Sequence, residues 1–128
     1  MTIKFLQGHN VLVVDDEHEL REIICDEFKD VGATTFEAAD GLEALNFLEN
    51  NTPFSIVISY IRMPKCSGDQ LLIKTRKLEI KQPAFFFTTG YSDISETSLI
   101  SYGALGVLKK PINFPVLFEL VKKVLIQA

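Results

Sequence analysis

Two adjacent carboxylates, Asp15 and Asp16, stand directly after an apolar run, Val11–Val14. Three later apolar runs also lead into residues that could do chemistry. Ile56–Ser59 runs into Tyr60, with Arg62, Met63 and Pro64 behind it; Ala84–Thr88 runs into Thr89 and Gly90; Gly106–Leu108 runs into Lys109, Lys110 and Pro111. Adjacent carboxylates repel each other, and a hard cation such as Mg2+ relieves that repulsion. A lysine and a hydroxyl beside the cation can hold the remaining oxygens of a phosphoryl group. Taken singly, each feature is ordinary. An acidic pair often only caps the next helix or favours its positive end, and a lone lysine is usually a solvated surface group. Joint placement on one rim is what turns the set into a candidate site, so the elements that deliver these residues decide the matter.

Five short runs, Val11–Val14, Thr34–Ala38, Ile56–Ser59, Ala84–Thr88 and Gly106–Leu108, are mostly β-branched or aromatic and are bounded by breaker residues or caps. Amphipathic segments lie between them. Glu17 to Asp30 carries Leu20, Ile23, Ile24 and Phe28; Gly41 to Asn50 carries Leu42, Leu45 and Leu48; Ser67 to Leu78 carries Leu71, Leu72, Thr75 and Leu78. Ser95 to Tyr102 has the weaker pair Leu99 and Ile100, and Asn113 to Ala128 carries Val116, Leu117, Leu120, Val124 and Leu125. Strand and helix therefore alternate five times, which implies an α/β fold with a parallel sheet covered on both faces. Right-handed crossovers leave few topologies. A flavodoxin-like (βα)5 doubly wound sheet of order 2-1-3-4-5 suits five strands, with the first and last helices on one face. In such a sheet ligands bind beyond the carboxyl ends of the strands, and that is where all the residues above fall. Residues 1–9 read as a short N-terminal extension and 10–128 as one domain.

A net charge of −4 argues against a nucleic-acid binder, which needs a clustered basic surface. No apolar run approaches the ~20 residues that span a bilayer. The opening stretch Met1 to Asn10 lacks the basic head and long apolar segment of a signal peptide. A cytoplasmic location with no membrane contact is expected. Cys25 and Cys66 are 41 positions apart, have no second Cys or His at metal-ligand spacing, and read as free thiols. His9 and His18 have no local nucleophile or ligand partner.

Four stretches carry a specific likeness. Val11-Leu-Val-Val-Asp-Asp-Glu17, Ile56-Val-Ile-Ser-Tyr-Ile-Arg-Met-Pro64 with Ser67-Gly68, Phe87-Thr-Thr-Gly-Tyr-Ser-Asp93 and Gly103-Ala-Leu-Gly-Val-Leu-Lys-Lys-Pro111 resemble the motifs of bacterial response-regulator receiver domains, chemotaxis regulators among them. They occur in order and at normal spacing from Asn10 to Ala128. The resemblance implies that Asp15 and Asp16 hold Mg2+, that Thr89 and Lys110 contact the phosphoryl group, and that the peptide before Pro111 is cis.

Two positions depart from the pattern. Tyr60 stands where the resemblance places the phosphoacceptor aspartate, and Val107, three before Lys110, stands where an aromatic switch residue is common. A phenol ionises near pH ~10 and is mostly neutral at physiological pH, so it is a poor ligand for a hard cation. Neighbouring Ser59 points to the opposite face of the strand and is no simple substitute. The expectation is an atypical receiver in two-component phosphorelay signalling, not an enzyme, unphosphorylated at the usual site and with a weak Mg2+ site at most. It would act as an interaction module for a histidine kinase or a downstream signalling protein through the fourth helix, fifth strand and fifth helix. The Tyr60 hydroxyl would bond Lys110 or a carboxylate of Asp15 or Asp16, or else point to solvent. Two other readings stay open: a working phosphoreceiver with an unusual acceptor (Tyr60, Asp15 or Asp16), and a small-molecule sensor on the same rim.

Overall fold

A computed structural model describes residues 4–50, 52–90 and 96–126, with the side chains of Glu96 and Ile126 left aside. The alternation reads out as β1 (Asn10–Val14), α1 (His18–Asp30), β2 (Thr34–Ala38), α2 (Gly41–Glu49), β3 (Ile56–Tyr60), α3 (Gly68–Arg76), β4 (Ala84–Thr89), α4 (Glu96–Ser101), β5 (Gly106–Lys109) and α5 (Phe114–Ile126). The strands form one parallel sheet in the order 2-1-3-4-5. β1, β3 and β4 are the central strands, and their apolar runs are buried on both faces, as a sheet sandwiched between helices requires.

Each face has its own core. On one side Val11, Val13, Ile56, Ile58 and Phe86 meet α1 and α5 through Ile24, Phe28, Leu117 and Val121. On the other Leu12, Val14, Val57, Phe85 and Phe87 meet α2, α3 and α4 through Ala44, Leu48, Leu71, Leu72 and Leu99. The first and last helices thus share a face, as the pattern predicts. Residues 4–9 lie against that face. Leu6 is fully buried, its N–H donates to Val31 O at 2.9 Å, and the Phe5 ring meets Phe118 edge-on.

The helix stripes are rotated slightly from those expected. Ile23, Leu42, Ile100 and Val116 are about half exposed, while Cys25, Ala44 and Val121 are buried in their stead. Small side chains at Cys25 and Ala44 let these helices sit close to the sheet. The larger neighbours are then pushed to the rim of the contact, a choice that periodicity alone does not decide. Cys25 and Cys66 are both free and buried, and burial pushes the Cys25 thiol up to about 11.

The connections on the carboxyl side are fixed by close backbone contacts. α2 starts at Asp40, whose carboxylate accepts from Glu43 N–H at 2.9 Å. α3 starts in a capping box between Ser67 and Gln70. Gly68 lets the loop press on the end of β3, because a Cβ there would run into the Tyr60 carbonyl and the Phe87 ring. This contact fixes the exit of the chain behind Tyr60.

Candidate functional site

Asp15 is the best anchored of the site residues. Its N–H donates to Ala38 O at 3.1 Å, which extends the β1–β2 pairing by one residue. Its carbonyl accepts from Arg21 Nη1 at 2.8 Å, and Arg21 is itself held by Glu37 at 2.9 Å. Its carboxylate Oδ1 accepts from Glu17 N–H at 2.9 Å. The second oxygen, Oδ2, lies 3.2 Å from Lys110 Nζ. Among the described residues neither of these two atoms has a hydrogen-bond partner of good geometry, so the contact is one of charge. Only 1% of the Asp15 side chain is exposed, and burial raises its carboxyl above the ordinary value of 3.8. The Glu17 N–H and the Lys110 ammonium oppose that rise without cancelling it.

Lys110 follows β5 and is tied in by its N–H, which donates to Thr89 O at 2.9 Å. Its peptide to Pro111 is cis, as the resemblance implies. The side chain is 16% exposed and turns inward between three groups. Besides Asp15 Oδ2 these are Glu17 Oε1 at 3.5 Å and the Tyr60 ring, whose centroid is 3.5 Å from Nζ. A cation this close to an aromatic face is attracted by the negative potential of the ring.

Towards Lys110, Tyr60 therefore presents its face rather than its hydroxyl. The hydroxyl lies towards Gly90, 3.6 Å from where a Cβ on that glycine would stand. The reason is positional: Tyr60 leaves β3 at its last residue, and the ring spans the rim towards the end of β4. Lys110 then comes to the middle of the ring. The outward, solvated orientation does not occur, since the ring is half-buried and packs against the core beneath it.

Thr89, the last residue of β4, is buried at the same rim. Asp16 is exposed, so the acidic pair is divided between a buried member and a solvated one. Ser59 is fully buried and its hydroxyl donates to the Tyr60 carbonyl at 2.8 Å, where it supports the backbone. Val107 is half-buried beside Phe87 of β4 and belongs to the periphery of the core. The sheet thus brings Asp15, Tyr60, Thr89 and Lys110 together, as the strand ends predict. Sequence reasoning missed Glu17, which reads there only as the start of the first helix. Its signal was the residue type, since Glu is a poor choice at a helix N-cap.

The donor set can be tested against a hard divalent cation. Mg2+ calls for several oxygen ligands in near-octahedral geometry. Here one Asp15 oxygen is taken by a backbone N–H and the other faces an ammonium. The next strand end offers the face of a neutral ring. No group of three His, Cys, Asp or Glu residues that could hold a metal occurs among the described residues. The residues present do not fit a tight site.

The fold, the acidic pair, the buried threonine and the lysine before a cis proline define the receiver class. Residues 11–122 match the family described as "Response regulator receiver domain". The chain is 35% identical over 110 residues to the Regulator of RpoS of Escherichia coli K12; the match covers 84% of this chain and 32% of that protein. The chain thus spans about a third of the length of this relative. It is 27% identical over 121 residues to the sporulation initiation phosphotransferase F of Bacillus subtilis, covering 94% of this chain and 96% of that one. Among solved structures it resembles the response regulator TrrA of Thermotoga maritima, in complex with Mg(2+)-BeF, with a TM-score of 0.77 and 35% identity over 90% of this chain and 97% of that one. This chain belongs to the response-regulator receiver family. Receiver domains are modules of two-component signalling that work with histidine kinases and other signalling proteins, and they are generally not enzymes. No helix among the described residues is long and apolar enough to cross a membrane.

Proposed function

We propose that this receiver does not take phosphate at the usual position and works in two-component signalling as a protein-interaction module of fixed conformation. The observation that carries the reading is the seating of Lys110 Nζ 3.5 Å from the centroid of the Tyr60 ring. An aspartate at this position would offer a nucleophilic oxygen and a metal ligand. Tyr60 offers a neutral ring, and that ring takes up the space beside Lys110 where a phosphoryl group would sit. Mg2+ affinity is correspondingly weak. Asp15 and Asp16 are the residues that would hold the ion, and Thr89 and Lys110 keep the phosphoryl-contact positions without an acceptor to serve.

The working surface is formed by α4, β5 and α5, with Ile100 of α4, Tyr102 and Leu105 of the α4–β5 connection and Val116 of α5 as exposed apolar side chains. Its partner is a histidine kinase or a downstream signalling protein in the cytoplasm, with no membrane or nucleic-acid contact. Residues 10–128 form the receiver unit, preceded by the segment 1–9. Incubation with acetyl phosphate and Mg2+, followed by intact-mass measurement, tests the reading. The expected result is no added phosphoryl mass. A stable phosphoryl adduct on the wild-type chain would overturn it.

A further inference from the structure

Glu17 occupies the N-cap of α1, with the extended backbone that a cap requires (φ −89°, ψ 106°), yet its side chain makes no capping hydrogen bond. Its carbonyl starts the helix by accepting from Arg21 N–H at 2.9 Å. N-caps favour Ser, Thr, Asp and Asn, whose short side chains reach back to the second or third N–H of the helix. Glu is too long for that reach. Here its carboxylate goes across the rim to Lys110 instead, with Oε1 3.5 Å from Nζ. Three groups then surround one ammonium: Asp15 at 3.2 Å, Glu17 at 3.5 Å and the Tyr60 ring centroid at 3.5 Å. Asp15 is held by backbone contacts on both of its sides. It fixes one end of the approach. Glu17 is 65% exposed and reaches Lys110 from the solvent side.

We propose that Glu17 is a positioning residue: with Asp15, its carboxylate holds the Lys110 ammonium against the face of the Tyr60 ring. The proposal rests on the reading that the ring fills the site, and it adds how that arrangement is kept closed. It also accounts for a poor N-cap residue at the head of the first helix.

The test is competitive acylation of lysines with a limiting N-hydroxysuccinimide ester in metal-free buffer, read site by site by peptide mass spectrometry. Lys109, the exposed neighbour, serves as the internal standard. Lys110 of the wild type should label more slowly than Lys109. Glu17→Gln should raise the Lys110 rate by roughly two- to fivefold, the worth of a partly exposed ion pair, with Lys109 unchanged. Glu17→Asp separates positioning from capping. Aspartate is the better cap, so the melting temperature should hold or rise, yet the shorter side chain falls short of Lys110 and the labelling rate should rise as in Glu17→Gln. Wild-type labelling rates in both variants would overturn the proposal. So would a wild type whose Lys110 labels as fast as Lys109. No phosphodonor enters this experiment, so a phosphoryl adduct in the preceding test and a null result here are separate failures.

Discussion

The ammonium of Lys110 and the ring of Tyr60 face each other at 3.5 Å, and this pair replaces the lysine–aspartate relationship that the family resemblance implies at these positions. A carboxylate would meet the ammonium with a full charge; a ring meets it with a quadrupole. Such a contact is worth about 0.5–2 kcal/mol, depending on how far it is desolvated. Lys110 is 16% exposed, which keeps water from competing freely for it. The ring leaves the lysine with a partner although no carboxylate stands at position 60.

The first prediction concerns the metal. Tyr60→Asp returns a charged oxygen ligand to the rim beside Asp15 and Asp16. Calorimetric titration should give Mg2+ binding at least about tenfold tighter than wild type, a difference of ~1.4 kcal/mol. Equal affinity in the two proteins would mean that the Asp15 arrangement, not Tyr60, limits the site.

The second prediction concerns pH. Burial raises the Asp15 carboxyl above its ordinary value, so the folded chain holds this proton more tightly than the unfolded chain does. A raised carboxyl stabilises most below the ordinary value of 3.8, and that contribution is lost as pH rises through the folded value. At neutral pH the ionised Asp15 is therefore a net cost. Asp15→Asn should melt higher than wild type at pH 7, and the gap should narrow as pH falls through the raised folded value towards 3.8. A lower melting temperature for Asp15→Asn at pH 7 would show that the Lys110 contact outweighs burial.

The third prediction concerns the N-terminal segment. Leu6 is fully buried on the face shared by α1 and α5. Truncation removes three buried carbons and leaves a cavity, so Leu6→Ala should cost about 2–5 kcal/mol in urea unfolding. A change below ~0.5 kcal/mol would mean that the segment detaches readily and contributes little to the core.

The order of the strands and the convergence of the site were both legible in the sequence, and for one reason. In a parallel sheet every strand ends on the same rim, so Asp15, Tyr60, Thr89 and Lys110 could be placed together without any knowledge of side-chain direction. Direction itself was not legible. Ile23 and Cys25 both fit a stripe on α1, and only packing decides that the smaller one is buried. Tyr60 could use its hydroxyl or its ring, and the choice depends on the angle at which the chain leaves β3, set in part by the close approach of Gly68 to the Tyr60 carbonyl. Glu17 was hidden because an acidic residue at a helix start has a sufficient local explanation. The position of Lys110 Nζ beside its carboxylate reveals the second use.

The last prediction separates the ring from its oxygen. Lys110 Nζ lies over the ring, 3.5 Å from its centroid, and has no hydrogen bond to the Tyr60 hydroxyl. Phenylalanine has the same ring with nearly the same potential over its face. Tyr60→Phe should therefore keep the folded stability within ~0.5 kcal/mol of wild type. Tyr60→Leu keeps apolar bulk but loses the negative face, and the ammonium is left beside a hydrocarbon. That variant should lose about 0.5–2 kcal/mol. The same pair bears on signalling. A ligand shifts a two-state equilibrium only by its differential affinity for the two states. On the proposed reading, a phosphodonor has no such handle on this chain. Affinity for the kinase or downstream partner should be unchanged by acetyl phosphate in wild type and in Tyr60→Phe alike. Hydrogen exchange along β5 offers a partner-free check on the same point. Protection at Lys109 and Lys110 should survive Tyr60→Phe and fall in Tyr60→Leu. Equal losses in both variants would put the hydroxyl, not the ring face, in control of the site.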